Sequence, residues 1–192
     1  MIRFSILTPA VPSRWGLVQR LWSNLSQQIG ELPVEHLILM DNKRRTVGEK
    51  RDALLRIARG DYVAFVDDDD NVSDDYVAAI LDAATQNPDV ITFRQSVVSN
   101  GRSGEVEFRL GNPNEPFKPG EVTLRNAWHV CAWRRTLAIL SHFPAVNYGE
   151  DIAFSEPLNK LAGLRQIHIP RILHRYEHDS TTSEALPEMK NA

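Results

Sequence analysis

A short apolar run, Tyr62-Val63-Ala64-Phe65-Val66, stops directly against four consecutive aspartates, Asp67-Asp68-Asp69-Asp70. Such a run has no polar face, so it belongs to a strand covered on both sides. The same pattern recurs through the first 95 residues. Phe4 to Thr8 is a run stopped by Pro9 and Pro12, His36 to Met40 is ended by Asp41, and Val90 to Phe93 is a fourth run. Helical patterns lie between them. Trp15, Val18, Trp22, Leu25 and Ile29 are spaced three and four apart and predict a helix with that stripe in the core. Val47 to Arg59 predicts a second helix, with Leu54, Ile57 and Ala58 on one face and Gly60 as its stop. Ser73 reads as the N-cap of a third, with Asp74 and Asp75 in its first turn and Tyr76, Ile80, Leu81 and Ala84 as its stripe. Strands alternating with helices predict an α/β fold, a mostly parallel sheet with helices on both faces. Ligands of such sheets bind beyond the carboxyl ends of the strands, where Asp41 and Asp67 both fall.

The second half is less regular. Val97 to Leu110 predicts a hairpin around Asn100-Gly101, and residues 111–120 a loop. Leu124 to Leu140 is expected to be helical, with Trp128 and Ala132 on one side. Glu150 to Leu161 is expected to be a helix kinked at Pro157, and Leu164 to Leu173 one or two strands. From Ser180 the chain turns polar and is expected to fray.

Composition narrows the function classes. A net charge of −3 gives no support to binding nucleic acid or an anionic membrane. The single cysteine, Cys131, rules out an internal disulfide framework and fits a reducing compartment. No apolar run approaches the roughly 18 residues of a membrane span, and the N-terminus enters a strand pattern at once. The expectation is a cytoplasmic protein without a membrane span.

Four adjacent carboxylates repel one another, and a fold that gathers them needs a cation or water to relieve the repulsion. Mg²⁺ and Mn²⁺ prefer oxygen ligands and bridge one or two carboxylates to substrate phosphates. A solvated acidic loop capping the next helix is the competing reading, and placement directly after a buried strand sets it second. A calcium loop of the EF-hand type fails, because Val72 stands where its glycine belongs and Ala78 where its glutamate belongs.

Gly48-Glu49-Lys50-Arg51-Asp52-Ala53-Leu54, followed by Ala58-Arg59-Gly60-Asp61-Tyr62-Val63-Ala64-Phe65-Val66 and the aspartates, resembles glycosyltransferase family 2. Asn147-Tyr148-Gly149-Glu150-Asp151-Ile152-Ala153-Phe154, about 80 residues on, resembles a second motif of that family. The resemblance covers most of residues 1–183. It implies one domain of GT-A (Rossmann-like) fold, with a nucleotide-sugar-binding half at 1–95 and a smaller mixed acceptor-side half at 96–183. Residues 184–192 would be a flexible tail. It also implies a nucleotide-sugar donor, UDP-linked above all, a Mn²⁺ or Mg²⁺ ion, and inversion at the anomeric carbon.

Carried over by position, Asp41 approaches the base of the nucleotide and Asp67 the ribose, while Asp69 ligates the metal. Pro9 and Asp68 also face the donor, and Arg51 and Lys50 face the diphosphate. Asp151 is the general base, and Glu150 orients the acceptor or supports its loop. His178, then His174, are candidate metal ligands or phosphate contacts. Trp133 and Arg134 belong to a segment resembling the family's acceptor-side helix, whereas Trp128 is assigned to core packing. The chain departs from the family at Asp41-Asn42-Lys43-Arg44-Arg45, at Thr8 to Arg14, at Asp52 in place of an asparagine, and at Pro157.

The expected acceptor is a saccharide or lipid-linked hydroxyl. A hydroxymethylated DNA base of a phage is the nucleic-acid alternative, without support from the charge. Two other functions compete. A nucleotidyltransferase would want a glycine-rich basic loop near the N-terminus, and residues 8–16 offer one glycine and one arginine. A non-catalytic nucleotide-sugar-binding module would bind donor without turnover.

Overall fold

The computed structural model describes residues 1–178, apart from the side chain of His178. The expected tail at 184–192 lies outside the described residues. The first half of the chain runs β1 (Phe4–Ala10), α1 (Trp15–Ile29), β2 (Val34–Met40), α2 (Val47–Ile57), β3 (Tyr62–Phe65), β4 (Asn71–Val72), α3 (Tyr76–Ala84) and β5 (Val90–Ser99). After it come β6 (Arg102–Phe108), β7 (Val122–Arg125), β8 (Ala132–Arg134), α4 (Arg135–Ala138), α5 (Glu150–Asn159) and β9 (Gln166–His178). The main sheet has the order β2-β1-β3-β8-β5-β6-β7, with β9 joining β5 to β4. The longest ladders are parallel: β1 with β2, and β5 with β9.

Alternation along the strands builds two cores, one on each face of the sheet. Phe4, Ile6, Tyr62, Ala64 and Val66 meet α1 and α3 through Leu21, Leu25, Tyr76, Val77 and Ile80. Leu7, Val63 and Phe65 point the other way, to Leu54 and Leu55 of α2 and Phe154 and Leu158 of α5. The strands expected from sequence therefore carry helices on both faces.

Five expectations are corrected. Leu124 to Leu140 is not one helix: it divides into β7, a turn, β8 and the single turn α4. β8 slots antiparallel between β3 and β5, a non-local pairing that local spacing does not encode. On α1 the core takes Val18, Leu21 and Leu25, while Trp15 and Trp22 are more than half exposed. On α2, Ile57 is exposed and the buried face holds Lys50 and Arg51. Helix α3 begins after Asp75, and Ser73 bonds the Asp75 carboxylate instead of capping the helix. Pro157 lies within the last turn of α5, and the helix runs through it.

Candidate functional site

A cleft of about 1170 Å³ opens beyond the carboxyl ends of β1 and β3. Pro9, Lys50, Arg51, Asp67, Asp68 and Asp69 line it on one side, and Trp128, Tyr148, Glu150, Asp151 and Tyr176 on the other. The two sequence motifs thus meet in one cavity.

The four aspartates separate by environment. Asp67 is partly exposed, and both its oxygens accept from Arg51 Nη2, at 2.9 and 2.6 Å. Asp68 is buried and accepts from Val11 N at 3.3 Å and Arg14 Nη1 at 2.9 Å. Burial outweighs the Arg14 charge and lifts its pKa to about 6. Asp69 lies 2.8 Å from Arg14, with its side chain 31% exposed. Asp70 turns inward, with His174 Nε2 3.3 Å from its Oδ2. Burial raises its pKa as well, against the opposing pull of His174.

His174 is fully buried on β9, where its Nδ1 meets the Gln95 side-chain amide at 2.9 Å. The pairing of β4 with β9 fixes it behind the aspartate loop, which makes it a support for Asp70 and not a ligand reaching into the cleft. His178, the other candidate ligand, has a side chain outside the described residues.

Asp41 follows the end of β2 and ion-pairs with Lys50 Nζ at 2.9 Å. Burial would raise the Asp41 pKa, but Lys50 outweighs it and holds the carboxyl below the ordinary range. The same Nζ donates to Ala10 O at 2.8 Å, so one buried cation joins the ends of β1 and β2.

Arg51 joins the two halves of the site. Besides Asp67 it reaches Glu150 Oε1 at 3.1 Å, and its guanidinium lies 5.8 and 6.0 Å from the ring centres of Phe65 and Phe143. Glu150 is buried, and desolvation, opposed by Arg51, raises its pKa. Glu150 is thus a support that fixes Arg51, and Asp151 faces the cleft in the first turn of α5. Gly149 precedes it at φ 79°, a left-handed conformation that glycine adopts freely. A carboxylate is favoured at that helix start, and Asp151 Oδ1 accepts from Ile152 N at 2.8 Å.

The loop before α5 is tied to the start of α2. Gly48 N donates to Val146 O at 3.1 Å, and Val47 N to Asn147 Oδ1 at 3.0 Å. A Cβ on Gly48 would fall 1.8 Å from Pro144 O, so only glycine permits the approach.

The expected acceptor residues are elsewhere. Trp133 is 1% exposed in β8, inside the core, with its indole N–H on Trp128 O. Arg134 stands opposite Tyr62, at the far end of β3 from the aspartates, and binds Asn87 O, Pro88 O and Asp89. Trp128, assigned from sequence to the core, packs against it and also lines the cleft, as do Tyr148 and Tyr176. Tyr148 lies inside the second motif and was legible there, whereas nothing local marks Tyr176.

The family model for glycosyl transferase family 2 matches residues 12–139. The chain belongs to that family. The match takes in the aspartate run and ends before Glu150-Asp151, so the second motif rests on the geometry above. Among curated proteins no sequence matches it. Solved structures give the fold. TarS 1–349 of S. aureus in complex with UDP-GlcNAc aligns at TM-score 0.69 and 17% identity, covering 100% of this chain and 61% of that one. The complex of TarS 1–349 with UDP aligns at 0.66 and 17%, covering 93% and 61%. A longer TarS chain aligns at 0.66 and 17%, covering 92% and 37%. The present chain thus spans about three fifths of the shorter TarS chains and over a third of the longer one. The glycosyl transferase family 2 chain has the GT-A fold that the resemblance implied. No helix among its described residues is long and apolar enough to cross a membrane.

Proposed function

We propose that this chain is an inverting glycosyltransferase that moves a sugar from a nucleoside diphosphate sugar, UDP-linked, to an acceptor hydroxyl. One observation carries the reading: Arg51 ties Asp67 to Glu150, which sets Asp151 across one cleft from the aspartate run. Family membership and the UDP and UDP-GlcNAc complexes of TarS support the donor class.

In this reading the Lys50-bound Asp41 meets the base, Asp67 the ribose, and Asp69 the diphosphate side. Asp151 takes the proton of the acceptor hydroxyl as its oxygen bonds to the anomeric carbon. The bond from that carbon to the diphosphate breaks, and the electron pair leaves with UDP. Among the described residues no group of three or more His, Cys, Asp and Glu side chains is arranged to hold a metal unaided. That donor set fits an ion that arrives with the diphosphate and takes one or two protein carboxylates. Asp69 is the residue to hold it, and Mn²⁺ or Mg²⁺ bound there would neutralise charge building on the departing diphosphate. The acceptor class is taken to be a saccharide or another hydroxyl compound.

Thermal unfolding with Mn²⁺, UDP-GlcNAc, and both together tests the site. The pair should raise the melting temperature more than the two separate shifts combined, and Asp69→Ala should remove that synergy. Asp151→Asn should keep donor binding and lose about two orders of magnitude or more in transfer. Transfer at the wild-type rate by Asp151→Asn would discard Asp151 as the base. Donor binding by the wild type with no hydrolysis or transfer would favour a binding module.

A further inference from the structure

Three cations of the donor wall are answered by carboxylates, Arg14 by Asp68 and Asp69, Lys50 by Asp41, and Arg51 by Asp67 and Glu150, while a fourth, Arg20, donates to Asp69 O. Next to the opposite wall, against Trp128, the balance differs. Arg125, the last residue of β7, lays its guanidinium carbon 4.4 Å over the ring of Trp128, which lines the acceptor wall beside Asp151. Its Nε is buried without a hydrogen-bond partner. Among the described residues its guanidinium makes no ion pair within 4.0 Å and no side-chain hydrogen bond. Asp151 and Tyr176 act on it electrostatically from a distance, yet burial dominates and lowers its pKa.

A half-desolvated guanidinium is costly to leave unmatched. Its planar fork of N–H donors fits the paired oxygens of phosphate and carboxylate, and stacking on an indole fixes the direction of the fork. Phe108 lies against Trp128 with ring centres 6.2 Å apart, so the platform is itself held in place.

We propose that Arg125 and Trp128 form an acceptor subsite for a molecule carrying a phosphate or carboxylate near the hydroxyl that receives the sugar. The subsite rests on the reading of this cleft as a transferase site with Asp151 as its base. Trp128 supplies the apolar face for the carbon skeleton and Arg125 grips the anion. The acceptor's own charge holds its hydroxyl against the side of the cleft where Asp151 stands. Without such an anion a neutral acceptor leaves the guanidinium unmatched, so the site discriminates by charge as well as by shape.

The test is calorimetric binding to the full chain saturated with UDP, using four probes: glycerol 3-phosphate, glycerol, glucuronate and glucose. At least one charged probe should bind about tenfold or more tightly than its neutral counterpart. Arg125→Gln should erase that preference, and Arg125→Lys should keep part of it. UDP affinity should match the wild type in both variants, which also reports that they are folded. Preference for glycerol 3-phosphate alone identifies a phosphate-bearing acceptor, and preference for glucuronate alone a carboxylate. Equal affinity for charged and neutral probes, or binding by none of them, overturns the subsite. So does a preference that survives in Arg125→Gln, or a loss of UDP affinity there, which would assign Arg125 to the donor. If UDP fails to bind the wild type, the transferase reading itself falls, and that outcome is separate from the others.

Discussion

Four identical side chains in a row end in four different situations, and neighbours decide which. Asp67 is matched by Arg51, Asp69 reaches solvent beside Arg14, and Asp68 and Asp70 are buried with raised pKa values. The pH consequence for Asp68 has a definite sign. Its folded pKa of about 6 lies above its ordinary 3.8, so across that window the folded chain holds more protons than the unfolded one. The contribution of this residue therefore favours folding at low pH and is lost as pH rises through the window. Glu35 and Asp41, whose pKa values are lowered, act in the opposite direction and cancel when two variants are compared. Melting temperatures of wild type and Asp68→Asn should thus shift relative to each other: wild type loses ground from about pH 4 to about pH 6, then holds level. A constant difference across that range would contradict the assignment.

At the scale of elements, the first half of the chain was legible and much of the second was not. Buried parallel strands announce themselves as continuous apolar runs, which is why β1, β2 and β3 could be read. The hairpin of β5 and β6 was marked by Asn100-Gly101, both left-handed at φ 49° and 75°. The segment around Trp128 and Trp133 carried helix-like spacing, but its conformation is set by β8 finding gaps beside β3 and β5, information held elsewhere in the chain. That misreading made Trp133 an acceptor candidate although it is buried in the core, and left unseen that Trp128 lines the cleft as well as packing on the core. Arg125 escaped notice because its isolation is a property of what surrounds it. The clamp between α2 and the loop before α5 was equally silent: Gly48 opens the first motif, but nothing local shows that Pro144 lies against it. Gly48→Ala should separate them. The added methyl should cost about 1–3 kcal/mol in urea unfolding. The surviving folded enzyme should lose transfer activity more than UDP affinity, because the displaced loop leads to Asp151. Unchanged stability and activity would mean that Pro144 gives way freely.

Across the whole molecule, the two cores lie on opposite faces of one sheet, and Arg51 is the charged residue that spans donor and acceptor motifs. Removing it leaves two carboxylates facing each other with Glu150 still buried. Arg51→Ala should therefore cost about 3 kcal/mol, the lower end for a buried pair because Asp67 keeps contact with water. Equilibrium urea unfolding measures this. Arg51→Lys should recover only part, since an ammonium lacks the planar fork that serves both partners. Full recovery by lysine would show that charge alone is needed.

The tip of the β5–β6 hairpin, Asn100 and Gly101, also borders the cleft. Its bend is closed by those two residues, and the ladder between β5 and β6 fixes its register. Substitutions there alter the entrance to the cleft directly, whereas Asp67 to Asp69 are held beyond the carboxyl end of β3. If the cleft works as proposed, a change confined to this one small bend redraws what can enter it and leaves the strands that carry the aspartates as they are.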